Sequence, residues 1–428
     1  MPTLTNQLHN DKEDLKKLLK RYRQDSNGSK GFIHGLQKDL IQNCVGGRMA
    51  ERFLNWKVTF ELIKIEGKYA LSVTDTGTTG LRGGLYKPEM IDQLSSNNQL
   101  GEEQGLSRFL NQKFSGGNTG PGSEGQGKGL FHLLSKEYNV IFDSLRNEGG
   151  ENESYVSGQK IMHGIGLKNM VEYPEDPENP DRKKNEDLFK ELTNNELNPL
   201  ERQGTRVIIK NIGINDIIRD VYKSDISNDK FAENGNYSFI EIFRNSFIDG
   251  FEDLDCRMSL KNMILETWWE ILKKYNNNGA EIILKDKELN KSISLKYNES
   301  LIEKIYEAKN DDEAKVEHLK PTGNQRIYFQ TTSNSPRYYV KEMKFIHFNK
   351  IRPGLKSGVF LQRKYMKVGE IIRETEVPSS LKSKFYGYII LDEDAENKLQ
   401  EAENEVHYGY NFGDRSAKKL RPIIYEYL

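Results

Sequence analysis

Apolar residues recur at three- and four-residue steps twice near the start of the chain. In residues 11–24, "DKEDLKKLLKRYRQ", Leu15, Leu18, Leu19 and Tyr22 share one helical face. After a break at "SNGSKG", the period returns in "FIHGLQKDLIQNCVGG". Phe32, Ile33, Leu36, Leu40 and Ile41 predict a second helix there, with Gly46 and Gly47 as its stop. The period then changes to two. "WKVTFELIKIEGKYALSVTD" alternates β-branched and aromatic positions about Glu66-Gly67, the pattern of a hairpin.

Residues 84–121 show no period. The glycine cluster "GSEGQGKG" (122–129) then leads into "LFHLLSKEY", a predicted helix, and "NVIFDS", a predicted strand. Residues 146–203 are acidic and polar and read as an insertion, "EYPEDPENPDRKKNED" being its clearest loop. "GTRVIIKNIG" (204–213) is a strand that closes a first domain, 1–213. A polar linker near 214–236 opens a second domain, 214–428. In it "MSLKNMILETWWEILKKY" is a long helix and "AEIILKD" with "SISLKY" a hairpin. "RIYFQT", "GVFLQRKYMKVGEI" and "FYGYIILDED" are strands, and "EDAENKLQEAENEVH" is a helix. Helices and strands come in runs rather than in strict alternation, so both halves are expected to be α+β.

The length of 428 residues agrees with two domains. A net charge of −1 gives no global basic field. Cys44 and Cys256 form no spaced cluster. No apolar run is long enough to span a bilayer, so a cytoplasmic protein without a membrane partner is expected. Trp268 and Trp269 read as core and helix-surface aromatics, His132 as structural, and Cys44 as a small apolar group.

Candidate chemistry begins at "VTDTGTTGLRGG" (73–84), where an apolar strand ends in one carboxylate, Asp75. Asp, Gly and Thr also turn well, so a plain turn is the alternative. Asp39 and Asn43 stand four apart and share a helical face, where side-chain oxygens can hold a hard cation or orient a water. Gly122, Gly125 and Gly127 permit close backbone approach, the following helix start offers amide hydrogens, and Lys128 adds a cation. That set suits phosphate, although its spacing is not that of a P-loop.

In this order "DLIQN", "DTGTTGL", "GSEGQGKG" and "GTRVII" resemble the four signature segments of the GHKL superfamily of gyrase B, heat-shock chaperones, histidine kinases and MutL. The resemblance covers roughly residues 25–213 and implies a Bergerat α/β sandwich that binds ATP and Mg2+. By it, Asp75 accepts a hydrogen bond from the adenine amino group, Gly77 and Gly80 bend the loop around the base, and Thr205 supports Asp75. Asn43 ligates magnesium, and the segment from Gly122 to Gly129, with Gly125, Gly127 and Lys128, forms the lid over the phosphates. The second half resembles a MORC-type transducer. The pair implies a nucleotide-gated homodimeric clamp, with DNA or an effector protein as partner, in a DNA-related or antiviral defence role.

Three positions depart from the family pattern. Asp39 stands where the family carries the Glu that serves as general base. Asp is shorter by about 1.5 Å, and a misplacement near 1 Å costs roughly a hundredfold. Gly46 replaces an acid found in several members. Tyr408, Gly409 and Tyr410 follow His407, where a phosphate-sensing Lys is expected, with Lys364 or Lys367 as substitutes. Slow hydrolysis is therefore expected. A non-catalytic interaction module is the alternative. A histidine kinase ranks lower, since about forty residues before Asn43 are too few for a dimerising helical hairpin.

Overall fold

The computed structural model describes residues 15–20, 29–48, 52–80, 127–147, 156–165, 169–172, 187, 189–222, 229–231, 237–249, 258–297, 305, 307–352, 355–363, 365–400 and 414–426. The chain is α+β and divides into two units. One comprises Met1–Phe247 with Ile271–Leu295, the other Ile248–Glu270 with Lys296–Leu428.

The first unit holds helix α1 (15–20), α2 (Ser29–Gly46), α3 (Gly127–Leu133), α4 (Asp216–Tyr222) and α5 (Phe239–Arg244). Its strands are β1 (Lys57–Ile65), β2 (Lys68–Thr76), β3 (Asn139–Asn147), β4 (Val156–Ile165), β5 (Asn169–Glu172), β6 (Gly204–Ile209), β7 (Glu281–Asp286) and β8 (Lys291–Ser294). They form one mixed sheet in the order β5-β4-β3-β6-β2-β1-β7-β8. β1 and β2 make the expected hairpin, paired from Lys57↔Thr76 to Ile65↔Lys68. Glu66 and Gly67 both take positive φ (52° and 74°), as a two-residue hairpin turn matched to strand twist requires.

Both faces of this sheet are covered. On one, Ile63, Ile65, Ala70, Ile141 and Ile208 pack around Phe189. On the other, α3 packs on β3 and on α2, with Phe131 against Phe142 at 6.0 Å between ring centroids. Leu15, Leu18 and Leu19 of α1 are buried as their spacing predicts, and Tyr22 lies outside the described residues.

Three expectations are corrected. The hairpin β7–β8 was assigned to a second domain, yet β7 pairs in parallel with β1 from Lys57↔Glu281 to Leu62↔Asp286. β1 buries side chains on both faces, and as an edge strand it would expose a row of unpaired backbone groups. The stretch 146–203 was read as an insertion, but β4 and β5 extend the sheet from β3. The stretch near 214–236 was read as a linker, but α4 buries Ile217, Ile218, Val221 and Tyr222. Asn215 fastens it: its side chain accepts from the Ile218 amide at 3.0 Å and donates to the Leu133 carbonyl at 2.7 Å.

In the second unit, β9 (Ala314–Leu319), β10 (Tyr328–Phe329), β11 (Tyr338–Phe348), β12 (Val359–Arg363), β13 (Met366–Ile372) and β14 (Phe385–Leu391) form another mixed sheet. Its order is β10-β11-β14-β12-β13, and β9 also pairs with β11. Helix α6 (Leu260–Tyr275) contributes its residues through Glu270 here and the rest to the first unit. Trp269 is buried rather than on the helix surface, 5.9 Å from Tyr388 and 6.2 Å from Tyr297 between ring centroids. Helix α7 (Glu393–Gln400) packs on β11. Helix α8 (Arg415–Tyr425), which is not among the expected elements, packs on β10 and β13.

Candidate functional site

Alternation along β2 puts Leu71, Val73 and Asp75 on the same face of the first sheet, the one that α3 covers. Across the sheet Val73 is paired with Val207, Val207 with Phe142, and Thr205 with Ser144. Asp75 lies two residues beyond Val73, and Thr205 two before Val207. Asp75, Thr205 and Ser144 therefore stand in one row across three strands, although about 130 residues of chain separate Asp75 from Thr205.

The row is hydrogen-bonded. Asp75 Oδ1 accepts from the Thr205 backbone N–H at 3.0 Å and from the Thr78 hydroxyl. Ser144 Oγ lies 3.2 Å from Thr205 Oγ1 and donates to the Gly204 carbonyl at 3.3 Å. Asp75 is only 7% exposed. Its donors are neutral, so burial dominates and pushes its carboxyl up to about 6 despite the bonds from Thr78, Thr205 and Cys44. The Cys44 thiol is raised well above its ordinary range, first by its own burial and then by the Asp75 charge.

Thr205 was expected to support Asp75, and its backbone amide does so directly. Thr78, Ser144, Gly204 and Cys44 were not identified as site residues. Gly204 has a steric role: a Cβ there would fall on the Asp75 carbonyl oxygen. Its position just before Thr205 was the available signal. Ser144 ends the predicted strand "NVIFDS" but becomes a neighbour only through sheet register.

Helix α2 is tied to the loop after Asp75. The Gly47 N–H closes the helix on Asn43 O at 3.0 Å, and Gly47 O accepts from the Thr79 N–H at 2.9 Å. Cys44 O accepts from Trp56 Nε1 at 3.0 Å. Asp39 and Asn43 share this helix but not an environment: Asp39 is 7% exposed, whereas Asn43 is open to solvent. Among the described residues, no three His, Cys, Asp or Glu side chains converge as a metal-holding group. Asn43 alone suits a magnesium ion held mainly by phosphate and water.

The glycines divide by role. Gly77 (φ 74°) and Gly80 (φ 65°) take left-handed backbone in the loop. At Gly77 the close approach is to the chain's own backbone, since a Cβ would stand 2.8 Å from Asn55 O and 2.9 Å from Trp56 Cα. Gly127 and Lys128 begin α3. Gly129 sits against α1, where a Cβ would meet Leu18 Cδ2 at 2.6 Å, so its small size serves helix packing. Gly122, Gly125, Lys364, His407, Tyr408, Gly409 and Tyr410 lie outside the described residues. Lys367 forms an ion pair with Glu266 and lies 3.7 Å from the centroid of the Phe360 ring.

The arrangement offers a buried acceptor at a strand end, beside an open polar helix end and a loop in left-handed conformation. No helix among the described residues is long and apolar enough to cross a membrane. No family model matches the chain, and no curated protein matches it.

Proposed function

We propose that this chain is a magnesium-dependent ATP-binding protein of GHKL type, with a Bergerat site in the first unit and a MORC-like transducer in the second. The observation that carries the reading is the row Asp75–Thr205–Ser144. A carboxylate that is buried, takes the Thr78 and Thr205 bonds on one oxygen and meets no cation among the described residues keeps acceptor capacity for a ligand donor. An adenine amino group is such a donor. Thr78 and the Thr205 amide fix the carboxylate plane, and Gly204 lets strand β6 come close enough to do so.

Asn43 is the protein ligand for magnesium, which when bound offsets phosphate charge. Lys128 and the start of α3 serve the phosphates. Asp39 is the base that takes a proton from water, and its short, buried side chain makes hydrolysis slow. The dimeric clamp, with lid closure coupled to the transducer, follows from the same reading. The burial of Asp39 also favours a second reading, a module that binds ATP without turning it over.

Titration calorimetry with magnesium-ATP tests the site. Wild type is expected to bind saturably and Asp75→Asn at least tenfold more weakly, about 1.4 kcal/mol. Absence of wild-type binding, or equal binding by the two, rejects the reading. Asp39→Ala then separates the two versions: an enzyme loses turnover and keeps binding, whereas a binding module has no turnover to lose.

A further inference from the structure

The antiparallel pair β10–β11 at the edge of the second sheet brings two tyrosines and two arginines together. Tyr328 is opposite Tyr339 in the register, with ring centroids 6.0 Å apart. The guanidinium of Arg326 lies 4.1 Å from the Tyr339 centroid, and that of Arg337 lies 4.6 Å from the Tyr328 centroid. Each arginine therefore covers the tyrosine of the opposite strand. Alternation places Arg326 and Tyr328 on one face with Arg337 and Tyr339, and Lys341 follows at an irregularity of β11 between Val340 and Glu342. Arg326, Tyr328, Arg337 and Lys341 are exposed, and Tyr339 is half-buried.

The charge around this face is one-sided in a chain that is neutral overall. Lys320, Arg326, Arg337 and Lys341 are the charged residues from Lys320 to Lys341, and no Asp or Glu interrupts them. Arg326, Arg337 and Lys341 have no carboxylate partner among the described residues. Elsewhere the described cations are commonly paired, as Arg244 is with Asp286 and Arg352 with Glu313. Glu342, the nearest acid along β11, is already held by His318 at 3.0 Å and Tyr388 at 2.6 Å and pairs with Lys320 at 3.9 Å, which leaves Arg326, Arg337 and Lys341 as the unpaired cations.

We infer that this face of β10–β11 binds single-stranded nucleic acid. Unpaired cations track phosphates, and the guanidinium planes stacked on the tyrosines, with the exposed part of the Tyr328 ring, receive unstacked bases. A duplex hides its base faces and could use only the cations. An acidic peptide would likewise leave the tyrosines without a role. The inference is independent of nucleotide binding in the first unit.

The test is fluorescence anisotropy of the full chain with a labelled 20-nucleotide oligothymidine, without ATP, against a duplex of equal length. Saturable binding that prefers the single strand is expected, and it weakens with salt. Engagement of the three cations gives a slope of log affinity on log salt of about −2. Tyr328→Ala with Tyr339→Ala is expected to lose roughly tenfold or more, while the paired Tyr→Phe changes keep the affinity. Arg326→Glu with Arg337→Glu removes binding. Circular dichroism of each variant checks folding, and Arg337→Glu alone, at an exposed position, serves if a double variant unfolds. No binding, equal affinity for the duplex, or unchanged affinity in the arginine and tyrosine variants overturns the inference. So does preference for an acidic peptide or for anionic vesicles.

Discussion

Two buried carboxylates of the first sheet answer the same physical problem in opposite ways. Asp143 on β3 is fully buried and faces the layer that contains Phe189. Arg206 of β6 donates to its Oδ2 at 2.8 Å, and the Leu200 amide does so at 3.1 Å. Arg206 in turn donates to the Asn198 carbonyl at 2.7 Å and lies 5.0 Å from the Phe189 centroid. Asp75, on the opposite face and two strands away, receives only neutral donors among the described residues, and both that come from Thr78 and Thr205 fall on one oxygen. A charge matched by a charge is finished as structure. A buried charge left with spare acceptor capacity is costly to keep, and such sites concentrate at functional positions.

The largest expected effect comes from breaking the finished pair. Asp143→Ala leaves Arg206 buried without its anion and is expected to cost about 3–5 kcal/mol of stability in urea denaturation. A loss under about 1 kcal/mol would mean that Arg206 relaxes to solvent and that the contrast is weaker than drawn.

The second effect is pH-dependent. Asp75 has a carboxyl raised from 3.8 to about 6 on folding, so the native state binds the proton more tightly than the unfolded chain. Its contribution is therefore fully present below about pH 4 and is lost as pH rises through about 6. The loss is up to about 3 kcal/mol, at 1.36 kcal/mol per pH unit. Asp75→Asn should lack this part of the stability profile. If Asp75 receives the adenine as proposed, nucleotide binding uses the ionised carboxylate and should weaken in wild type as pH falls below about 6. Parallel profiles for the two proteins would show that Asp75 does not titrate in this window.

The smallest effect sharpens the row itself. Ser144→Ala removes the hydroxyl beside Thr205 and is expected to cost about 1 kcal/mol of stability. Nucleotide affinity should change by less than it does in Asp75→Asn, because Asp75 is held by the Thr205 backbone rather than by its side chain.

Local pattern was enough for the parts whose stabilising contacts are close in sequence. The apolar spacing of α2, the Glu66-Gly67 turn and the strands "NVIFDS" and "GTRVII" all follow from periodicity and turn chemistry. Asp75 was legible because a lone acid ends an apolar strand just before glycines. The supporting shell was not. Thr78 reads as one more turn residue, and Gly204 and Ser144 carry no signal apart from their neighbours.

The amino-acid sequence determined α2, the β1–β2 hairpin, β3 and β6, and where an acid meets a glycine-rich loop, because those depend on residues a few positions apart; α4, β4, β5 and α8 did not follow from it. Only the tertiary structure decided that β7 returns to lie beside β1, that Arg206 neutralises Asp143, and that the Thr205 amide reaches Asp75. Those outcomes rest on strand register between segments far apart in the chain. A register shift of one residue would send Asp75 and Asp143 to each other's faces, and nothing local in either strand records which register wins.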